Sequence, residues 1–318
     1  MILDVEVETG GLLGKPAGAS EDAGIGNMRS LASRYRDLRN QLKMLRSAEF
    51  RAALRGVSLP FDRPALEIET AASPEQSSQM FARIRDAWSE LGARRPHHSV
   101  LTTDQFRPGN FAANGERFWA SGELEVQFIV AALARHGFGE PDGMTCVEYG
   151  SGVGRVTLPL AARFAVVHAY EMSPTHLRLA QQRAAALATG NIDFHACADG
   201  LPVRLAPCDL FYSRLVLQHN PPPLIRALIA LALAALNPGG FAIFGVPTYL
   251  EHYRFRTGEY LLRPRAVAAE MHCIPQEEVF ALIAEAGCAT VEVREERELA
   301  RSGERLSNIF VVKRPPGG

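Results

Sequence analysis

The stretch Val147–Val156 reads Val-Glu-Tyr-Gly-Ser-Gly-Val-Gly-Arg-Val. Before it, Met144–Val147 is apolar enough for a buried strand, and after it Arg155–Phe164 carries apolar residues at helical spacing. Gly150 can turn the chain without a Cβ penalty, and Gly152 leaves the backbone bare for a ligand. Strand, glycine turn and helix together form the layout that binds nucleotide-like cofactors at the edge of an open α/β sheet.

The spacing of the glycines distinguishes two kinds of cofactor site. A dinucleotide fingerprint, G-x-G-x-x-G, would place its last glycine where this chain has Arg155. The glycines here are Gly150, Gly152 and Gly154. With Glu148 ahead of them, the pattern resembles motif I of the class I S-adenosylmethionine (SAM) methyltransferases, acidic-x-G-x-G-x-G. The resemblance implies that the three glycines, Glu148 and Ser151 contact the methionine and ribose portion of SAM.

An acidic residue ends the next predicted strand, Val166–Tyr170. Glu171 lies 17 residues beyond Gly154, close to the spacing of about 20 residues expected when one helix separates two strand tips. In the resembled family an acid here accepts hydrogen bonds from both ribose hydroxyls, a role that suits two acceptor oxygens. The resemblance therefore implies cofactor contacts for Glu171 and the adjacent Met172, and Ser173-Pro174 predicts the start of a helix.

The third and fourth predicted strands, Asn191–Ala198 and Asp209–Ser213, end at the same edge. In the family an Asp after the third strand hydrogen-bonds the adenine amino group, and its neighbours hold the ring. The residues at that position are Asp199, Gly200 and Leu201. Asp-Gly is also ordinary turn chemistry, so a purely structural role stays open. Ser213, at the tip of the fourth strand, is a further cofactor candidate.

Two histidines are candidates for a catalytic base. Val216–Pro222 resembles motif IV and its following loop in small-molecule and glycan methyltransferases, where Leu-x-His before a proline-started helix is frequent. A hydroxyl acceptor must lose its proton, and an imidazole can take it. His219 is the first candidate and His272 the second, and either could instead only shape the pocket.

The sequence indicates the chemical class of the methyl acceptor less closely than it indicates the cofactor. Residues 248–273 form an insertion that, in the resembled family, usually covers the substrate, and its Arg and Tyr content favours a polar, anionic or sugar-bearing acceptor. A solvated surface lid is the alternative. We expect O-methylation of a small-molecule or glycan hydroxyl. The alternatives are N-methylation of a small amine, a catalytically silent SAM-fold scaffold, and a dinucleotide oxidoreductase, which Arg155 disfavours.

The order of the elements indicates an α/β fold, and the resemblance implies a doubly wound, Rossmann-like, seven-stranded mixed sheet with an N-terminal helical extension. Ala289–Arg294 and Ile309–Lys313 match the terminal antiparallel strand pair of the resembled family. The predicted domains are a disordered leader at 1–27, a helical and irregular extension at 28–122, and the SAM-dependent methyltransferase domain at 123–314.

The extension contains several predicted elements. Residues 28–56 carry apolar side chains on one helical face and could pair two copies in a homodimer. Ser73–Gln76 predicts a helix start, followed by an apolar face that continues to Leu91. His97 and His98 are predicted to be extended or looped, where adjacent side chains face opposite ways, so we expect no metal site.

An aromatic segment, Phe118–Gly122, precedes a helix predicted over Glu123–His136 with Ser121 or Gly122 as its N-cap. Aromatic-x-Ser-Gly resembles the segment that, in many of these enzymes, folds over the methionine end of SAM. Trp119 is therefore a candidate cofactor contact. Aromatic packing of the helix onto the sheet is the alternative.

Composition excludes several classes of protein. The 318 residues carry a net charge of −1, which gives no general basic field for nucleic acid. No apolar run reaches the about 20 residues of a membrane span, and the acidic start does not resemble a secretory signal. The five cysteines form no C-x-x-C pair. We expect a cytoplasmic protein with no nucleic-acid partner and no membrane span.

Overall fold

The computed structural model describes residues 38, 39, 43, 66–197, 204–265, 269–296 and 305–317. The chain divides into two compact units, Met1–Pro64 and Ala65–Gly318. Within the first unit the described residues, 38, 39 and 43, are helical and exposed. The predicted leader at 1–27 and nearly all of the predicted helix at 28–56 lie outside the described residues.

The second unit is built on strands. In chain order they are β1 (Glu67–Ile68), β2 (Thr145–Tyr149), β3 (Val166–Glu171), β4 (Ile192–Ala196), β5 (Cys208–Ser213), β6 (Leu236–Leu250), β7 (Arg254–Phe255), β8 (Ala289–Glu295) and β9 (Arg305–Lys313). Seven of them form one sheet in the order β4-β3-β2-β5-β6-β9-β8. Strand β9 runs antiparallel to β6 and β8, and the other neighbours are parallel. The predicted seven-stranded mixed sheet is confirmed.

Helices cover both faces of this sheet. They are α1 (Pro74–Arg94), α2 (Pro96–Val100), α3 (Pro108–Arg135), α4 (Thr157–Ala161), α5 (Pro174–Ala186), α6 (Pro222–Ala235), α7 (Thr257–Leu262) and α8 (Gln276–Glu285). Helix α1 starts as predicted, because Ser73 and Gln76 form a reciprocal capping box. Within the described ranges, no helix combines the length and apolarity needed to cross a membrane.

Side chains alternate between the two faces, as the period of a strand requires. Along β6, Phe241 and Ile243 pack in the core with α3 and α4, whereas Ala242 and Phe244 pack in the core with α1, α6 and α8. Parallel strands covered on both faces read as continuous apolar runs, which explains why β2 and β5 were recognisable in the sequence. The layers leave the carboxyl ends of the parallel strands together at one edge.

Two local predictions were wrong. The helix predicted from Glu123 begins at Pro108, so Ser121 and Gly122 lie inside α3 and cap nothing. Gly122 instead allows close packing, because a Cβ there would lie 1.9 Å from the carbonyl oxygen of Arg155. The segment around His97 is helical in α2, not extended, because Pro96 occupies the first turn, where its missing N–H and fixed φ suit a helix.

Candidate functional site

A cavity opens where β2, β3 and β5 end. Ligands of open α/β sheets bind at this edge. The predicted site residues that line it are Glu148, Gly150, Ser151, Gly152, Glu171, Met172 and His219. Residues after β5 and residues of α1 and α2 complete the lining. The structure thus brings His219 together with the glycine turn, Glu148 and Glu171.

The glycine turn is held in a conformation that favours glycine. Gly150 and Gly152 have φ angles of +83° and +58°. A Cβ on Gly150 would lie 2.3 Å from Cγ2 of Val216, and one on Gly152 would lie 2.9 Å from Cγ2 of Val100. The Gly150 amide donates to the carbonyl of Tyr170 at 2.8 Å, which ties the turn to β3. Bare backbone therefore faces the cavity in a space too narrow for a side chain.

Two predicted cofactor residues, Gly154 and Ser213, are absent from the described lining of this cavity. A Cβ on Gly154 would lie 3.2 Å from Cβ of Ala180, so this glycine lets α5 approach the turn. The buried Ser213 hydroxyl donates to the carbonyl of Tyr149 at 2.9 Å and joins β5 to β2. Both residues therefore stabilise the elements around the cavity and do not line it.

The Glu171 carboxylate is buried at the tip of β3 and fixes the glycine turn. One oxygen accepts from the amide of Gly152 at 2.7 Å, and the other from the amide of Ser173 at 2.8 Å. Burial raises the pKa of Glu171, but the His176 ring, whose Nδ1 lies 3.8 Å from Oε1, and the hydrogen bonds from these amides hold it below its usual value. A charged carboxylate with remaining lone pairs is therefore available to a ligand.

Glu148 is a second buried carboxyl group, and its pKa is shifted in the opposite direction to that of Glu171. The Thr157 hydroxyl donates to its Oε2 at 2.5 Å. Burial raises the pKa of Glu148 to about 7, although the hydrogen bond from Thr157 and the positive charge of Arg155 both lower it. Near neutral pH this carboxyl is therefore partly protonated and can both donate and accept.

Polar atoms without partners also mark the cavity. Tyr149 Oη, Ser151 Oγ and Asn220 Oδ1 are buried in lining residues and have no hydrogen-bond partner within the described ranges. Leaving such an atom unpaired costs about 1–3 kcal/mol, so partners from a polar ligand would be stabilising. These atoms, the bare backbone at Gly152 and the acceptor oxygens of Glu171 fit the cofactor that the motif resemblance implies.

His219 lies in the 3₁₀ turn Leu217–His219 that follows β5. Its Nδ1 lies 2.8 Å from the carbonyl oxygen of Glu270, which assigns the ring proton to Nδ1 and the lone pair to Nε2. The centroid of the Trp88 ring lies 5.0 Å from the centroid of the His219 ring. Burial lowers the pKa of His219 to about 4, with His272 adding to the effect and the Glu270 carbonyl opposing it. The imidazole is therefore neutral at physiological pH.

His272 does not line the cavity in the described structure. Its Nδ1 lies 2.7 Å from the Tyr253 hydroxyl, and its Nε2 lies 3.3 Å from a carboxylate oxygen of Glu270. The Tyr260 hydroxyl donates to the same carboxylate oxygen at 2.7 Å. With both ring nitrogens engaged, His272 anchors Glu270, whose carbonyl oxygen in turn orients His219.

The remaining predicted contacts lie elsewhere. Trp119 is on α3 outside the cavity, and the Arg183 guanidinium carbon lies 3.9 Å from the centroid of its ring, a cation–π contact between α3 and α5. Trp119 thus contacts a neighbouring helix in this structure, and its role as a cofactor contact stays a prediction. Asp199, Gly200 and Leu201 lie outside the described residues.

Sequence reasoning missed the residues that the N-terminal region contributes. Trp88 of α1, together with Ser99 and Val100 of α2, lines the cavity. Ser99 Oγ lies 2.9 Å from Nε2 of His176, which connects α2 to α5 beside Glu171. The apolar face of α1 was visible in the sequence, but such a face indicates only burial and not which cavity it borders.

The arginines of the insertion at 248–273 form surface ion pairs. Arg254 lies 2.9 Å from Glu259, and Arg256 lies 3.2 Å from Glu69, with all four side chains exposed. Such exposed pairs contribute little stability. Within the described ranges these arginines are absent from the lining of the cavity. The contacts match the solvated lid and give no support to an anionic or sugar-bearing acceptor.

Comparison with known proteins agrees with this geometry. Residues 146–240 match a family model described as a methyltransferase domain. A solved structure of magnesium protoporphyrin IX methyltransferase from Synechocystis PCC 6803 with bound SAH superposes with a TM-score of 0.52 at 19% identity, covering 74% of this chain and 99% of that one.

The same enzyme with bound SAM superposes with a TM-score of 0.50 at 19% identity, covering 77% of this chain and 100% of that one. At this identity the likeness establishes the fold, including the mixed seven-stranded sheet. A comparison with curated protein sequences gives no match.

Proposed function

Because this chain carries a class I SAM-dependent methyltransferase domain, we propose that it transfers the SAM methyl group to a hydroxyl oxygen of a small molecule. His219 is the observation that carries the choice of a hydroxyl. His219 lines the cofactor cavity, and because its ring proton is on Nδ1, its Nε2 carries the lone pair. An imidazole fixed in this tautomer is suited to accept a proton from a hydroxyl group.

The residues that would hold SAM follow from the cavity. The bare backbone of Gly150 and Gly152 would lie against the cofactor, and Glu171 would accept hydrogen bonds from its ribose hydroxyls. Tyr149 Oη and Ser151 Oγ would gain the partners that they lack. When bound, SAM supplies an electrophilic methyl group on a sulfonium; the protein mainly aligns the acceptor with it, and proximity contributes much of the rate.

His219 would act on the acceptor and not on the cofactor. Its Nε2 would take the hydroxyl proton as the oxygen becomes nucleophilic, and the Glu270 carbonyl would stabilise the protonated ring through Nδ1–H. Burial disfavours that charged ring, so the proton would be released to solvent before the next turnover.

The function can be tested with matched acceptors. The full chain would be incubated with SAM and pairs of compounds that differ only in carrying a hydroxyl group or its methyl ether, and SAH release would be measured. We expect SAH release with hydroxyl compounds and none with the ethers. Turnover confined to the corresponding amines would contradict O-methylation and support the N-methylation alternative.

Glu171→Ala should weaken SAH binding by about 1–3 kcal/mol, because ribose hydroxyls would lose their acceptor. The structure adds a second effect, since the amides of Gly152 and Ser173 would also lose their acceptor. We therefore expect a lower free energy of unfolding in urea. Calorimetry with SAH measures the first effect, and wild-type affinity in the folded variant would place the ribose elsewhere.

A further inference from the structure

Arg83 of α1 contacts the end of α7 and the chain beyond it through both of its Nη atoms. Nη1 donates to the carbonyl oxygens of Tyr260 at 3.2 Å and Arg263 at 2.7 Å. Nη2 donates to the carbonyl oxygen of Pro264 at 3.0 Å and to Oε1 of Glu270 at 3.3 Å. The Arg83 side chain is only 12% exposed, so these bonds form largely away from water. One guanidinium group therefore binds four acceptors of a single segment.

An arginine side chain is needed for this arrangement of acceptors. Its planar guanidinium carries five N–H donors in a rigid fork, whereas a lysine ammonium carries three donors on one centre. The guanidinium carbon of Arg83 also lies 4.5 Å from the centroid of the Tyr260 ring, a cation–π contact. Arg83 thus binds both Glu270 and the tyrosine whose hydroxyl donates to Glu270 at 2.7 Å. A positive charge alone would not hold these groups in one geometry.

The Glu270 carboxylate is held at both of its oxygens. Arg83 binds Oε1, whereas Tyr260 and His272 contact Oε2. Burial raises the pKa of Glu270, but the hydrogen bonds from His272 and Tyr260 and the charge of Arg83 keep it at about 2. The carboxylate is therefore charged at physiological pH. Without Arg83 it would lose its arginine partner, and a buried charge that is poorly compensated moves towards water.

The main chain of Glu270 and His272 is bound to the turn that carries His219. The Glu270 carbonyl oxygen lies 2.8 Å from His219 Nδ1, and the His272 amide donates to the carbonyl of Gln218 at 2.7 Å. Arg83, Glu270 and His219 also border one small cavity, so the three side chains converge. A shift of Glu270 would therefore displace the acceptor that keeps the ring proton of His219 on Nδ1.

We propose that Arg83 is a positioning residue for the general base: by fixing Glu270, it holds His219 in the tautomer whose Nε2 offers a lone pair to the methyl acceptor. The inference rests on the proposed function, because it concerns the base of the same reaction. Arg83 does not line the cofactor cavity in the described structure, so it acts through Glu270. The four hydrogen bonds of Arg83 and the bond from the Glu270 carbonyl to the imidazole carry the proposal.

The test observes the tautomer of His219 by NMR and needs no methyl acceptor. The full chain would be isotope-labelled in its histidine rings and saturated with SAH. Long-range proton–nitrogen correlation spectra would then show which ring nitrogen carries the proton, and comparison with His219→Ala would assign the signals. Arg83→Ala removes the guanidinium, and Arg83→Lys keeps the charge without the fork. Arg94→Ala is the matched control, because Arg94 is on the same helix with its side chain 66% exposed.

We expect a single His219 tautomer, with the proton on Nδ1, in the wild type and in Arg94→Ala. Arg83→Ala and Arg83→Lys should lose this single tautomer, while calorimetry gives an SAH affinity near that of the wild type. Millimolar guanidinium chloride should restore the tautomer in Arg83→Ala, because guanidinium can bind the same acceptors. Ammonium chloride at the same concentration should not restore it.

Wild-type His219 signals in folded Arg83→Ala would overturn the proposal. A loss of the tautomer that guanidinium does not restore would assign the change to a general disturbance of the fold and would also overturn it. If urea unfolding shows that Arg83→Ala is not folded, Arg83→Lys decides, and wild-type signals there would be the contradicting result. Failure of the proposed function is distinguishable, because it would appear as no SAH release with any hydroxyl compound while these spectra are as expected.

Discussion

Replacing Gly152 with leucine should abolish measurable SAH binding by the full chain. A leucine at φ +58° is strained, and its Cβ would lie 2.9 Å from Cγ2 of Val100. The remaining side-chain atoms would have to enter the space where the cofactor meets the backbone. The turn could not relax freely, because the Gly152 amide is hydrogen-bonded to Glu171. Isothermal calorimetry with SAH measures the effect directly.

Gly190→Leu provides the matched control. Gly190 has open space around its Cβ position and lies outside the cavity. This variant should bind SAH like the wild type, and thermal unfolding would show whether both variants are folded. A folded Gly152→Leu protein that still bound SAH would show that the cofactor does not approach the glycine turn.

Replacing His219 with alanine should lower kcat by about 10²–10⁴-fold, the usual contribution of a positioned general base. SAM affinity should change little, because the residues proposed to hold the cofactor are in the turns after β2 and β3. His252→Ala is the control, since the His252 side chain is 92% exposed. Steady-state kinetics with the hydroxyl acceptor and SAH calorimetry separate the two effects. A near-normal kcat would show that His219 lines the cavity but is not the general base.

The pH dependence of kcat provides a more specific test of His219 as the general base. A general base works unprotonated, so kcat should fall as the pH falls through the pKa of His219, which burial lowers to about 4. The acid limb should therefore lie well below the midpoint of an ordinary histidine at about 6.5. His219→Ala should lose this limb. An acid limb of ordinary midpoint that persisted in the variant would assign the base to another group.

The sequence alone determined the sheet and the cofactor edge, because both depend on local patterns. Continuous apolar runs predict buried parallel strands, and glycines at a fixed spacing predict a turn with bare backbone. Glu171 followed from its distance along the chain to that turn. His219 could be placed after β5 for the same reason, since consecutive parallel strands end at one edge.

The tertiary structure alone decided what surrounds that edge. Trp88 and Val100 reach the cavity from helices far away in sequence, and no local pattern indicates which groove an apolar helix face will border. The sequence offered both His219 and His272 as candidate bases, whereas the structure places His219 at the cavity and engages both ring nitrogens of His272. Burial, which sets the pKa of His219, likewise depends on long-range packing.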